Sequence, residues 1–203
     1  MNLQVPNLFK SFYRSPVIKS FSLSVNSGER IGISGPNGSG KTTLLKMLSG
    51  IMAIDSGDIQ VGNHFIDPEF TLPRKSIHYL GHSAGAYPGL TGEENLIFIS
   101  GLYGMDALGV TECLEKVGLD SAKEKQIKYY SQGMLQRLKL AITILLDSDI
   151  LLLDEPLSGL DSNGIQLFQQ LLDEWQENKK TMLIVSHDHN WLSSITDRII
   201  YLN

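Results

Sequence analysis

Hydrophobic and polar positions change period several times along this chain, and each change marks an element. "VIKSFSLSV" (17–25) alternates apolar and polar side chains as a half-buried strand does. "ERIGIS" (29–34) reads as a second strand running straight into a glycine-rich turn. The next run, "TTLLKMLSG", has helical spacing and stops at Gly50, a residue type that readily closes a helix. Three later runs, "DILLLD" (149–154), "TMLIVS" (181–186) and "RIIYL" (198–202), are short and almost continuously apolar, which suits strands covered on both faces. Ahead of "TMLIVS" lies "GIQLFQQLLDEWQE", with Ile165, Phe168, Leu171, Leu172 and Trp175 on one helical stripe. Strand, helix, strand in this order predicts an α/β fold with a mostly parallel sheet. From about residue 92 to 146 the text changes to helical patterns, "EENLIFISGLYG", "TECLEKVG" and "GMLQRLKLAITILL", with no strand pattern. We read this stretch, counted from about residue 84, as a helical subdomain inserted in the α/β core of a single domain spanning 1–203.

Composition narrows the function classes. A length of 203 residues with 42% apolar and 19% charged residues fits one substantial soluble domain. The net charge of −5 argues against a surface built to hold a nucleic-acid backbone. Cys113 is the only cysteine, which excludes an internal disulfide and a cysteine-rich zinc site. The start "MNLQVPNLFKSFYRS" lacks the apolar run of a signal peptide, and no apolar stretch approaches the roughly 20 residues of a membrane span. The expected location is cytoplasmic.

Chemistry enters with "GPNGSGKT", Gly35 to Thr42, which fits G-x-x-x-x-G-K-[ST] with a strand before it and a helix after it. Gly35, Gly38 and Gly40 let the backbone wrap an anion, Pro36, Asn37 and Ser39 complete the loop, and its N–H groups cradle phosphate. Lys41 brings a mobile charge to the β and γ phosphates, the Thr42 hydroxyl suits Mg²⁺, and Thr43 follows. In "ILLLDEP", an apolar strand delivers Asp154 to the sheet's C-terminal edge as a second Mg²⁺ ligand, and Glu155 is free to orient and polarise a water. A kinase acting on a small acceptor shares these parts. In "YYSQGMLQRLKLAI" (129–142), Ser131 has two open readings: an N-cap, or part of an anion site made by a helix start.

The order of the motifs carries a resemblance. From "FKSFYRSPVIKSFSLSVNSGERIGISGPNGSGKTT" to "SHDHNWLSSITDRIIYL" the chain resembles the ATP-binding subunit of ABC transporters. "YSQGM" stands where that family has its Leu-Ser-Gly-Gly-Gln signature, with Arg137 at the family's spacing; "SGLD", Ser158 to Asp161, matches the D-loop, and His187 in "VSHD" matches the switch histidine. The resemblance implies a P-loop NTPase core with an N-terminal antiparallel β subdomain, ATP and Mg²⁺ as ligands, and ATP hydrolysis with Glu155 and His187 near the γ phosphate. It also implies ATP-dependent pairing with a like subunit, as homodimer or heterodimer. Ser131, Gln132, Gly133 and Asp161 of one copy then meet the phosphate loop of the other. A transmembrane permease is the implied partner, placing the chain peripherally on the inner face of the cell membrane. Phe12, 23 positions before Gly35, takes the register of the family's adenine-stacking aromatic, with Tyr13 beside it.

Three positions depart from the family pattern. His82 in "YLGHSAGAYPGLTGEENL" stands for the Q-loop glutamine, where an imidazole still offers one hydrogen bond. Because imidazole titrates close to neutrality, activity is expected to fall more steeply below about pH 6.5 than with glutamine there. Gln132 replaces a glycine and Met134 a polar residue within the signature. His64, His78 and His189 show no metal-ligand spacing and read as solvated or structural. "YSQGM" and "YLGH" resemble bacterial exporters, including the ATPase of the haem exporter of cytochrome c maturation. The alternative is an ABC-type ATPase acting on nucleic acid or the ribosome, which typically shows two cassettes or a basic surface.

Overall fold

The computed structural model of the chain describes residues 1–66, 76–83 and 85–203. The expected lower boundary of the helical insertion, residue 84, lies outside them. The chain divides into two compact units: Met1–Tyr79 with Ser148–Pro156 and Trp175–Asn203, and Leu80–Asp147 with Leu157–Glu174.

The first unit holds both sheets. Strands β1 (Leu3–Phe12) and β2 (Ser15–Val25) pair antiparallel from Leu3↔Val25 to Phe12↔Ser15, and β4 (Gln60–Val61) and β5 (His64–Phe65) complete the sheet order β2-β1-β4-β5. Sequence periodicity did not find β1. Pro6 cannot donate to a ladder and Asn7 takes φ 50°, so the register slips between Val5 and Leu8 and the alternation breaks there. The second sheet runs β6-β7-β8-β3-β9, built from β3 (Arg30–Ser34), β6 (Ile77–Leu80), β7 (Ile150–Asp154), β8 (Thr181–Val185) and β9 (Arg198–Tyr201). Its β7/β8, β8/β3 and β3/β9 pairs are parallel. Every residue of β7 and β8 is buried, as their unbroken apolar text requires.

Helix α1 (Lys41–Leu48) buries Leu44, Leu45, Met47 and Leu48 in one core with Ile31, Ile33, Leu152 and Leu183 of the parallel sheet and Leu3, Val5 and Leu8 of β1. That packing fixes the start of α1 at the end of β3. In-register pairing of Ile33 with Val185 and of Asp154 with Val185 brings the C-terminal ends of β3, β8 and β7 side by side. Open parallel sheets bind their ligands at this edge.

The second unit is helical, and it takes in residues 157–174 as well as Leu80–Asp147. Helix α2 (Gly92–Tyr103) opens with a capping box: Thr91 Oγ1 accepts from the Glu94 N–H at 3.1 Å, and Glu94 Oε2 accepts from the Thr91 N–H at 2.8 Å. Helices α3 (Val110–Lys116) and α4 (Gln132–Leu146) follow. Arg137 of α4 donates to the Val117 carbonyl at 2.9 Å and to Asp161 Oδ1 at 3.0 Å. Helix α5 (Ser162–Glu177) buries Phe168, Leu171, Leu172 and Trp175, but Ile165 of the expected stripe is 43% exposed. Its first turn points that position outward. Helix α6 (His189–Ile195), which belongs to the first unit, precedes β9.

Candidate functional site

The loop between β3 and α1 is shaped by its glycines. Gly35 has φ 150°, and a Cβ there would run into the Leu202 carbonyl; Gly40 has φ 96°, and its Cβ would meet Val17 Cγ1 at 2.8 Å. Only glycine fits either position. Gly40 caps α1 without a side chain, so the first-turn N–H groups of the helix remain available to an anion. The Lys41 ammonium donates to the carbonyls of Gly35 at 2.8 Å and Pro36 at 2.9 Å, which holds its charge inside the loop. Pro36, Asn37 and Gly38 are exposed, while Ser39 and Thr43 are half-buried. The Ser39 hydroxyl is buried with no hydrogen-bond partner among the described residues.

At the end of β7, Asp154 is 3% exposed. Its Oδ2 accepts from Thr42 Oγ1 at 2.7 Å and from the Tyr79 hydroxyl at 3.0 Å; Oδ1 is buried without a hydrogen-bond partner among the described residues. A buried, bare carboxylate oxygen beside a hydroxyl is a hard-oxygen donor set, and it fits Mg²⁺ shared with a phosphate ligand. Tyr79, on β6, is a member of this cluster that sequence reasoning missed. Burial and then the Asp154 carboxylate push its phenol pKa well up, so it stays a neutral donor.

Glu155 follows at φ 50°, a left-handed conformation that costs a non-glycine residue on the order of 1 kcal/mol. Its N–H donates to the Val185 carbonyl at 3.0 Å, which pins this turn to the end of β8. The turn aims the carboxylate at His187, whose Nδ1 lies 2.9 Å from Glu155 Oε2. His187 itself is exposed. Phe12, at the end of β1, is 39% exposed, and Lys10 Nζ lies 5.6 Å from its ring centroid; Tyr13 is fully exposed at φ 48°.

The remaining predicted residues belong to the second unit. The Ser131 hydroxyl accepts from the Met134 N–H at 3.2 Å and so caps α4. Gln132 is exposed, and a Cβ on Gly133 would meet the Gly159 carbonyl at 3.1 Å, so the signature turn and the D-loop lie against each other. Asp161 Oδ1 accepts from the Gly164 N–H at 2.8 Å and from Arg137, and these bonds hold its carboxyl below the usual range. His82 is exposed, and its carbonyl accepts from Lys139 Nζ at 2.8 Å. Of the other histidines, His64 and His189 are exposed and His78 is half-buried, with desolvation pushing its imidazole down to about 4. Among the described residues no group of three or more His, Cys, Asp or Glu side chains is arranged to hold a metal.

An N–H cradle, a lysine, a bare carboxylate oxygen and a carboxylate–imidazole pair form an arrangement for binding and cleaving a polyphosphate. The sequence model of the family described as "ABC transporter" matches residues 18–158. The linearmycin resistance ATP-binding protein LnrL of Bacillus subtilis is 31% identical over 201 residues, covering 97% of this chain and 65% of that protein. This chain thus spans about two thirds of that relative's length. The cytochrome c biogenesis ATP-binding export protein CcmA of Nitrobacter winogradskyi is 38% identical over 156 residues, covering 77% of this chain and 76% of that one. Among solved structures, the dimeric post-hydrolysis state of the ATP-binding cassette MJ0796 bound to ADP and Pi matches with a TM-score of 0.86 at 27% identity, covering 99% of this chain and 94% of that one.

Proposed function

We infer that this chain, which belongs to the ABC transporter family, binds ATP on the Gly35–Thr43 loop and hydrolyses it to ADP and phosphate to power transport through a membrane-spanning partner. One observation carries this reading. In a single unit, Lys41, Asp154 and the Glu155–His187 pair stand at the ends of neighbouring parallel strands.

The loop N–H groups and Lys41 bind the phosphates, and Phe12 offers its exposed face to the base. Thr42 and Asp154 would hold Mg²⁺, which supplies charge neutralisation on the phosphate oxygens. Glu155 orients the attacking water and draws its proton, and His187, hydrogen-bonded to it, fixes the carboxylate and reaches the γ phosphate through its other ring nitrogen. Ser131, Gln132, Gly133 and Asp161 complete the site of a second copy, where the free N–H groups at the start of α4 meet the γ phosphate. The dimeric state named for MJ0796 supports this pairing.

The membrane-spanning partner is part of this reading, and among the described residues no helix is long and apolar enough to cross a bilayer. The chain then works as one ATPase domain with its helical part inserted, peripheral on the cytoplasmic face. The export and resistance functions named for CcmA and LnrL favour export. Glu155→Gln tests the mechanism: ATP remains bound, while phosphate release falls by about a hundredfold or more. Phosphate release at the unsubstituted rate overturns it.

A further inference from the structure

Asp154 carries its hydrogen bonds asymmetrically. Both donors, Thr42 Oγ1 at 2.7 Å and the Tyr79 hydroxyl at 3.0 Å, converge on Oδ2, while Oδ1, itself buried, has no hydrogen-bond partner among the described residues. Leaving a buried polar atom bare costs about 1–3 kcal/mol, and such atoms persist where something else uses them. Two bonds to the same oxygen fix the rotation of the carboxylate, so the bare oxygen keeps one position.

The two anchors differ in kind. Thr42 is itself assigned to the cation, so its oxygen is shared between that task and Asp154. Tyr79 has no other assignment. It comes from β6, the neighbour of β7 in the sheet, and the Ile150 N–H donates to the Ser76 carbonyl at 3.0 Å, which sets the register that brings Tyr79 to Asp154. A phenol on a strand has few rotamers, so its hydroxyl is delivered at low entropic cost.

We propose that Tyr79 is a positioning residue for the divalent cation that accompanies ATP, its hydroxyl holding Asp154 Oδ2 so that Oδ1 is reserved for the metal. This rests on the ATP–magnesium reading above. Partners that orient a ligating carboxylate typically contribute 10–100-fold to metal affinity.

The test uses Mn²⁺ as the probe, its free concentration followed by electron paramagnetic resonance, with the full chain and a non-hydrolysable ATP analogue. For Tyr79→Phe the Mn²⁺ Kd is expected to rise about tenfold, while affinity for the analogue in metal-free buffer stays within about twofold. Tyr79→Leu, which also removes the ring, should weaken the metal by no less than Tyr79→Phe. An unchanged Mn²⁺ Kd in Tyr79→Phe overturns the assignment. So does an equal loss of metal-free nucleotide affinity, because Tyr79 then supports the loop and not the cation. If the unsubstituted chain takes up no Mn²⁺ with the analogue, the ATP–magnesium reading itself has failed and the assignment falls with it.

Discussion

The unit that holds the phosphate loop and the unit that holds Ser131 use their polar side chains differently. In the first, functional groups answer one another: Thr42 and Tyr79 bond Asp154, and Glu155 bonds His187. It also carries visible signs of function, because the two bare buried side-chain oxygens among the described residues, Ser39 Oγ and Asp154 Oδ1, both lie there, and Glu155 is held at φ 50°. In the second unit, Ser131 caps α4 and Asp161 accepts the Gly164 N–H at the start of α5, bonds that serve the helices themselves. The groups proposed to bind and cleave ATP sit among strain and unpaired atoms, while those proposed to act across copies carry bonds that read as helix punctuation.

The largest effect that bears on this contrast is Ser131→Arg. A long cation at the tip of α4 blocks the anion, so turnover is expected to fall about a hundredfold or more, while ATP affinity of the isolated chain stays within a few-fold. Loss of the cap alone costs only about 1 kcal/mol, too little to mimic that result through stability. ATPase assays and equilibrium nucleotide binding on the same preparation separate the two. Unchanged turnover would mean that Ser131 is a cap and nothing more.

A smaller effect isolates the helical unit. Gly92 begins α2, and a Cβ there would press on the hydroxyl of Tyr130, which is buried and donates to the Ala122 carbonyl at 2.8 Å. Gly92→Ala is expected to displace that hydroxyl at a cost of about 1–2 kcal/mol, seen as a lower thermal midpoint. ATP affinity should hold, since the loop residues belong to the other unit. A parallel loss of affinity would break the division between the two.

How much of this was legible in the sequence follows the same line. Strands β3, β7 and β8 and the loop after β3 could be read because burial on both faces makes unbroken apolar text, and a phosphate cradle needs glycines at fixed spacing. β9 was found by its apolar run, but as the sheet's edge strand it leaves Arg198 and Tyr201 exposed and is not covered on both faces as expected. β6 could not, for four residues carry no period, and Tyr79 was missed with it. Its role is set by β6 lying beside β7, a neighbour about 70 residues away in sequence, which no local pattern encodes. The grouping of residues 157–174 with the helical unit is equally non-local. The apolar stripe of α5 misled at Ile165 because periodicity gives a face but not where its cover stops. Asp161, read only as a contact across copies, also carries the Arg137 and Gly164 bonds, and the signal for that was present in the spacing of Asp161 to a helix start.

The smallest effect concerns how the first unit sets the strand that offers Phe12. Asp55 takes three bonds from the two residues just before Phe12: Lys10 Nζ at 2.7 Å, the Ser11 N–H at 2.8 Å and the Ser11 hydroxyl at 2.9 Å. The Lys10 bond first, and then the two from Ser11, lower the Asp55 carboxyl from 3.8 to about 2. A carboxyl whose pKa is lower folded than unfolded contributes stability that is fully present above its unfolded value and is lost as pH falls through its folded one. Asparagine at this position does not titrate. The thermal midpoint of the unsubstituted chain should therefore exceed that of Asp55→Asn at pH 5, and the gap should close as pH is lowered toward about 2. The gap will be small, because the cluster is open to solvent and salt screens it. A gap that stays constant across that range shows that Asp55 contributes through shape and not charge, and that the end of β1 is set without this ion pair.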